Sequence, residues 1–392
     1  MITRTPAPVS DPALHGAIPP LDPRRLSRAK AAYTTRYVAA RMLENHCASY
    51  GLLTEGRPRA GDVVLARVTR LGQHERLEDP HGRRSLLYVG DEVFVAYGPR
   101  YAPDQFEAEI PGHLGPTHLV AAGGVAATVV TQHSSMRPAT ELQPVGLLAD
   151  AAGVLTLDRC APFRVGGLST LPRQTRPLTI AVLGTSMNSG KTTTVASLVR
   201  GLSAANFSVA AGKVTGTGAG GDPGLFRDSG AFPVLDFTHF GYPSTYQLPH
   251  DDVVALLSAM RNELAAHKPD VVILEIADGL FQRETARLIA DPAFAQSVDA
   301  VVFAAAEALG AVAGLEILRG QGLPVCAVSG VLTASPLAAQ EARGRLDVPV
   351  LDRHQLGHPD HATTLLPLPS PLTAVPDLVM PDDVPASEPV AV

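Results

Sequence analysis

The apolar positions of this chain follow two different rhythms. From Leu178 to Asp352, uninterrupted apolar runs (LTIAVLG, FSVAAGK, DVVILEIA, AVVFAAA, LPVCAVSG and VPVLD) alternate with stretches of helical spacing. Strands apolar on both faces and separated by helices predict a parallel sheet with helices on either side. Between Leu52 and Leu157 the runs are shorter, alternate apolar with polar, and are broken by Gly, Pro and Asp: DVVLARVTRL, LLYVGDEVFVAY, QFEAEIP, HLVAAGGVAATVV and GVLTL. That rhythm predicts a small, mostly antiparallel β-barrel or sandwich. Gly61-Asp62 and Gly90-Asp91 each open a strand-like run. Gly123-Gly124 marks a bulge or a close approach of another segment, the bulge being the simpler reading.

The expected class is therefore α/β, with a β-rich domain placed before a parallel sheet. Proline-rich, aromatic-poor ends cannot bury enough surface to offset ordering, so residues 1–21 and 356–392 read as tails. Residues 22–170 read as a helix plus the β-rich domain, 171–177 as a linker, and 178–355 as the α/β domain. The segment DPRRLSRAKAAYTTRYVAARMLENH reads as one basic helix capped by Asp22, either a solvated face or an RNA or phosphate contact.

Composition changes this picture little. With 45% hydrophobic and 18% charged residues over 392 positions, the chain has the mixture of a soluble globular protein. No run of eighteen apolar residues offers a membrane span and the first twenty residues show no signal peptide, so a cytoplasmic protein is expected. A formal charge of −6 gives no general attraction to nucleic acid or to anionic membranes. Cys47, Cys160 and Cys326 are widely separated and odd in number, which argues against disulfides and zinc knuckles.

The chemistry concentrates in VLGTSMNSGKTTT, Val182 to Thr194, where a strand runs into a loop and then a helix. Gly184 and Gly190 let the backbone curl so that amides face phosphate oxygens, and Thr185, Asn188, Ser189 and Thr193 complete the cradle. Lys191 is placed for the β- and γ-phosphates, and the Thr192 hydroxyl for Mg²⁺. The spacing is unusual, with five residues between the glycines where the common loop has four.

Read back from the lysine, GTSMNSGKTTT resembles the loop of dethiobiotin synthetase and its relatives. That superclass also holds the amidating cobyrinate synthases, the molybdopterin-guanine dinucleotide accessory proteins and the partitioning ATPases. Ser186 stands where the partitioning ATPases have a lysine and many dethiobiotin synthetases an aspartate, which disfavours both specific activities. The resemblance covers about Leu178 to Asp352 and implies a P-loop NTPase. It implies that Lys213 and Thr217, in AAGKVTGTGAGGD, face the substrate and the transferred phosphoryl group. It also implies that Glu275 accompanies Thr192 at Mg²⁺, with Asp222, Asp228 or Asp278 as further carboxylates.

Other candidates remain open from the residues alone. Arg283 reads as a phosphate contact or an exposed helical arginine. DFTHFGYPSTY, with Phe237, His239, Phe240, Tyr242 and Tyr246, reads as a substrate lid or as a plug between domains. His354, His358 and His361 have spacings a metal can use, against a solvated reading. VLTASPL lacks a guanine-reading aspartate, which favours ATP. The expected function is ATP- and Mg²⁺-dependent phosphoryl transfer to a small carboxylate or carbamate, in one version the first step of a ligation. The alternative is a nucleotide-dependent accessory or switch ATPase/GTPase whose β domain docks a partner, and a third reading is an RNA-directed kinase. The expected partner is a small-molecule substrate, with no membrane, no nucleic acid and room for a homodimer.

Overall fold

The computed structural model describes residues 20–44, 50–166 and 176–365. Cys47, residues 1–19 of the first tail, residues 171–175 of the linker and residues 366–392 lie outside these.

Alternation in the first half produces a closed barrel. Glu92–Tyr97 pairs with Val63–Arg70, which pairs with Thr140–Asp150, which pairs with Thr117–Ala121, which pairs with Val125–Gln132. The ring shuts where Val125 and Ala126 run parallel to Ala96 and Tyr97, the one parallel seam in an otherwise antiparallel circuit. Val64, Ala66, Val93, Val95, Leu119 and Leu142 fill one face. Val63, Leu65, Phe94 and Leu148 pack on the other against Val38 and Leu157. Closure removes the free strand edges that would otherwise invite aggregation.

The basic segment is not one helix. It divides into helices Pro23–Arg28 and Arg36–Glu44, separated by a short strand, Lys30–Ala31, that pairs with Val93–Phe94. Three of its cations find carboxylates while Arg24 and Arg28 stay exposed: Arg25 binds Glu92, Lys30 binds Asp91, and Arg36 lies 3.7 Å from Asp236 in the second half. The helical spacing was misleading because these pairings, made far away in sequence, override local propensity.

The second half is a six-stranded, fully parallel sheet in the order Val234–Asp236, Val209–Lys213, Val271–Glu275, Leu178–Gly184, Ala300–Ala304, Val325–Ser329. Helices cover both faces, and the two cores lie on opposite sides of the central strands. Three residues, Val234–Asp236, form an edge strand too short to register in the sequence pattern, so DVVILEIA is the fourth strand and not the third. VPVLD contributes only a single parallel bridge, Val350 to Val328.

The final tail begins later than the composition indicates. Helices Arg353–Leu356 and Pro359–Thr364 fold back onto helix Lys191–Ala204, and Leu356, Ala362 and Leu365 join its core with Val195, Leu198 and Leu202. Likewise Arg176, at the end of the expected linker, is buried in an ion pair with Asp299. Barrel and sheet meet closely. Gly123 and Gly124 form the turn between two barrel strands, and a Cβ on Gly123 would collide with the Gly218 carbonyl of the other half. The close-approach reading holds there, alongside a register shift at Val125/Ala126. Glu78 accepts from the Gly220 amide at 2.7 Å, and Tyr33 donates to Asp236 at 2.8 Å.

Candidate functional site

The loop between Leu178–Gly184 and Lys191–Ala204 stands at the C-terminal edge of the parallel strands, where open α/β sheets bind ligands. Gly184 has no room for a side chain, since a Cβ would run into Ser189 Oγ, and Gly190 caps the helix at φ 97°. The Thr194 amide, 2.9 Å from Gly190 O, is the first of the helix in the usual ladder. The preceding helical amides, of Lys191, Thr192 and Thr193, are thereby available to an anion. Asn188 adopts φ 63° and donates to Asp104 of the barrel at 2.7 Å.

Polar groups of the loop lack partners where a phosphate tail would supply them. Thr185 Oγ1 and Ser189 Oγ are buried without a hydrogen bond. Lys191 is buried and donates to the Ser186 carbonyl at 2.7 Å, closing the loop on itself. Burial holds the Lys191 ammonium below the usual lysine range, with Glu275 opposing. A buried cation and orphaned hydroxyls at a helix start fit a bound polyphosphate.

Sheet register explains the next cluster. Lys213 and Glu275 are paired positions on neighbouring strands, so their side chains meet: Lys213 Nζ lies 3.0 Å from Glu275 Oε1 and also contacts Asp222. Burial alone would depress Lys213, but the Asp222 and Glu275 carboxylates outweigh it and hold the ammonium well above its ordinary value. Glu275 is 1% exposed and its Oε2 has no partner. Glu275, Asp222 and Thr192 line one cavity, together with Thr193 and Thr217. Two carboxylates and a hydroxyl suit a magnesium ion that keeps several waters, and the ammonium lies between the carboxylates as a resident cation.

Other candidates separate. Asp278 lines the same cavity at φ 64°, and burial raises its carboxyl to about 6. Asp228 is exposed and lines a different pocket with Tyr33, Arg36 and Arg227. Arg283 is more than half exposed and pairs with Glu284 at 2.6 Å, the plain alternative. Phe237 and Phe240 are buried in the core of the α/β half, and His239 is buried against Arg36 and Tyr37 of the first half, so none of these three rings stands over the strand ends as a lid. Tyr246 alone of this stretch reaches the cavity, 5.5 Å from the ring of Tyr101. His358 and His361 contact each other while His354 lines a pocket beside the loop helix, and among the described residues no group of three or more metal-ligating side chains is found.

The cavity encloses about 970 Å³ and has two walls. Sequence reasoning missed the barrel wall: His74, Glu78, Arg84, Arg100, Tyr101 and Gln105 lie there. Their only sequence signal is charge at the ends of short strands, which is also what ordinary turns show. A second pocket of about 580 Å³ adjoins Gly190 and Thr194 and is bounded by Gly330, Thr333, Asp352 and His354.

No family model matches the chain, and no curated protein matches it. Among solved structures, the signal recognition particle receptor FtsY from Elizabethkingia anophelis matches at 17% identity and a TM-score of 0.30, over 44% of this chain and 56% of that one. The Signal Recognition Particle 54 kDa protein from Aeropyrum pernix K1, in complex with GDP, matches at 17% identity and TM-score 0.31, over 50% and 49%. A GTPase from Pyrococcus abyssi matches at 12% and TM-score 0.31, over 48% and 95%. The chain spans about half the length of the first two. Its loop and fully parallel sheet give the C-terminal half an α/β P-loop fold, a parallel sheet flanked by helices. No helix among the described residues is long and apolar enough to cross a membrane.

Proposed function

We propose that this chain is a magnesium-dependent nucleoside triphosphatase that transfers the terminal phosphoryl group to a small carboxylate or carbamate held against the barrel. One observation carries the reading: the phosphate loop opens into a cavity of about 970 Å³ whose opposite wall is a second domain lined with polar side chains. A loop that only times a switch has no need of an enclosed second-substrate space.

In this reading the loop amides and Lys191 bind the phosphate tail, while Thr192, Glu275 and Asp222 would hold Mg²⁺. The metal supplies charge neutralisation along the phosphates. Lys213 and Thr217 orient the acceptor, as the likeness to dethiobiotin synthetase implies. The acceptor oxygen bonds to the γ-phosphorus as its bond to the β,γ-bridging oxygen breaks, and that electron pair leaves with the nucleoside diphosphate. The 580 Å³ pocket beside the loop is where the base would lie, and the loop after Ser329 bears no guanine-reading aspartate. Because the matched structures include a GTPase and a GDP complex, ATP and GTP are both to be tried.

A second reading keeps the nucleotide and replaces the small substrate with a partner protein. It is favoured by the Asn188 to Asp104 hydrogen bond, through which the loop reports directly to the barrel. The deciding experiment measures ADP or GDP release from ATP or GTP with and without a panel of small carboxylates and amines. Stimulation by one compound, with a phosphorylated or ligated product, supports transfer; turnover indifferent to every compound supports the switch. Lys191→Ala should lower turnover at least a hundredfold, about 3 kcal/mol, and undiminished turnover would remove this loop from the chemistry.

A further inference from the structure

Arg100 is an unusual residue for its position. It is 6% exposed, lines the cavity from the barrel side, and has no carboxylate within 4 Å among the described residues. Its hydrogen-bond partners are neutral: Nη2 donates to Gln105 Oε1 at 2.8 Å, and Nη1 lies 3.1 Å from His74 Nε2. His74 Nε2 also lies 2.9 Å from the Val120 carbonyl. That nitrogen can serve only one of the two: protonated it donates to Val120, and unprotonated it accepts from Arg100. Burial, reinforced by the adjacent guanidinium, lowers His74 to about 4, so the ring is neutral and brings no compensating charge. Arg100 Nε has no partner at all. Five N–H donors therefore face at most two neutral acceptors. Burial lowers Arg100 to about 10, with Asp104 and Asp278 opposing from a distance.

A buried guanidinium that bonds no carboxylate, and that Asp104 and Asp278 attract only from beyond hydrogen-bond reach, is costly unless something neutralises it further. Surface arginines do not explain the cost, and neither does packing, because an apolar side chain would fill the space more cheaply. Arginine presents a planar fork that matches two oxygens of one anionic group. Tyr101 and Tyr246 stand beside it with their rings 5.5 Å apart, giving the same wall an apolar flank.

We propose that Arg100, backed by His74 and Gln105, is an anion subsite that takes a carboxylate or phosphate group of a small ligand on the barrel wall, across the cavity from the phosphate loop. The inference rests on the reading of the cavity as a two-substrate chamber, and it names the charge of the second substrate. Lys191 would then serve the phosphate tail and Arg100 the barrel-side anionic group of the acceptor, whose reacting end Lys213 and Thr217 orient.

The test uses the full chain with succinate as probe, at constant ionic strength set by sodium chloride. Wild type should melt about 2 °C higher with succinate at ten times its dissociation constant. Lys191→Ala, which empties the loop of its cation, should keep that shift. Arg100→Met should lose it, while melting at or above the wild-type temperature without probe, because a structural arginine would destabilise on removal and an unpaired one need not. Arg100→Lys keeps the charge without the fork and should weaken the probe at least fivefold, which covers the case of a methionine variant that does not fold. A shift lost in Lys191→Ala and kept in Arg100→Met places the anion in the loop and overturns the subsite. Loss in both variants, or no shift in wild type, overturns it equally. If wild type binds neither ATP nor GTP while the Arg100 variants lose the shift, the nucleotide reading fails and the subsite stands.

Discussion

Besides Lys191 of the loop, two cations face one cavity from opposite walls, and they are paired in opposite ways. Lys213, on the parallel sheet, is clasped by Glu275 and Asp222. Arg100, on the barrel, has only Gln105 and a neutral imidazole. The Lys213 cluster of the sheet wall is thus electrically self-contained, with an ammonium lying between the carboxylates that would receive a metal. The barrel wall is left incomplete. A self-contained wall can fold and wait for its ligand at no electrostatic cost; an incomplete one keeps its strongest interaction for whatever binds there.

The largest expected effect comes from making the sheet wall resemble the barrel wall. Lys213→Met leaves Glu275, which is 1% exposed, without its partner, and removing one member of a buried pair costs about 3–5 kcal/mol. The melting temperature should fall by several degrees in the absence of divalent ions, and millimolar Mg²⁺ should restore more of it in this variant than in wild type. Equal response to Mg²⁺ in the two proteins would mean that Glu275 and Asp222 do not receive a metal.

A smaller effect tests the floor between the walls. Asp278 sits in the cavity with its carboxyl raised to about 6 by burial, against the ordinary 3.8. An acid raised by folding contributes its full stability below the unfolded value and loses it as pH rises through the folded one, here between pH 3.8 and 6. Two units correspond to at most about 3 kcal/mol, reduced by partial solvent access. Asp278→Asn should therefore flatten the fall in stability between pH 4 and pH 7. Chemical denaturation at the two pH values checks it; an unchanged slope would show that other groups, such as Asp62, raised by burial to about 6, carry the pH dependence.

The same contrast governs what the sequence reveals. The phosphate loop is legible because a strand, a Gly-rich curl and a helix are contiguous, so Gly184, Gly190, Lys191 and Thr192 announce themselves together. Lys213 and Glu275 lie 62 residues apart yet each ends an apolar run, and parallel register alone brings them side by side. Arg100 carries no such mark. Gln105 is only five residues away in a short hairpin, but His74 reaches it from elsewhere in the barrel, and the significance of Arg100 lies in a missing partner, which a sequence cannot display. The basic helix failed for the converse reason: Arg25, Lys30 and Arg36 look solvated until the barrel and sheet supply Glu92, Asp91 and Asp236. Leu356 and Ala362 were obscured by the proline-rich composition around them, although two short turns suffice to bury both.

The smallest effect addresses the joint that holds the walls opposite each other. Gly123 lies in the barrel turn against the Gly218 backbone, which belongs to the same segment as Thr217 and Lys213. A methyl group there cannot be accommodated by rotating a side chain, since the atom it meets is a carbonyl, so Gly123→Ala should cost about 1–2 kcal/mol and part the two halves slightly. Each wall would keep its own chemistry, because Arg100, His74 and Gln105 all belong to the barrel and Lys191, Lys213 and Glu275 all belong to the sheet. What should decline is the communication between them. In wild type, nucleotide should alter the succinate midpoint and succinate the nucleotide midpoint by one and the same factor, as linkage requires. In Gly123→Ala that factor should move toward one while each ligand, added alone, still stabilises. If the factor survives intact, the coupling does not pass through this joint, and the Asn188 to Asp104 bond becomes its remaining direct route.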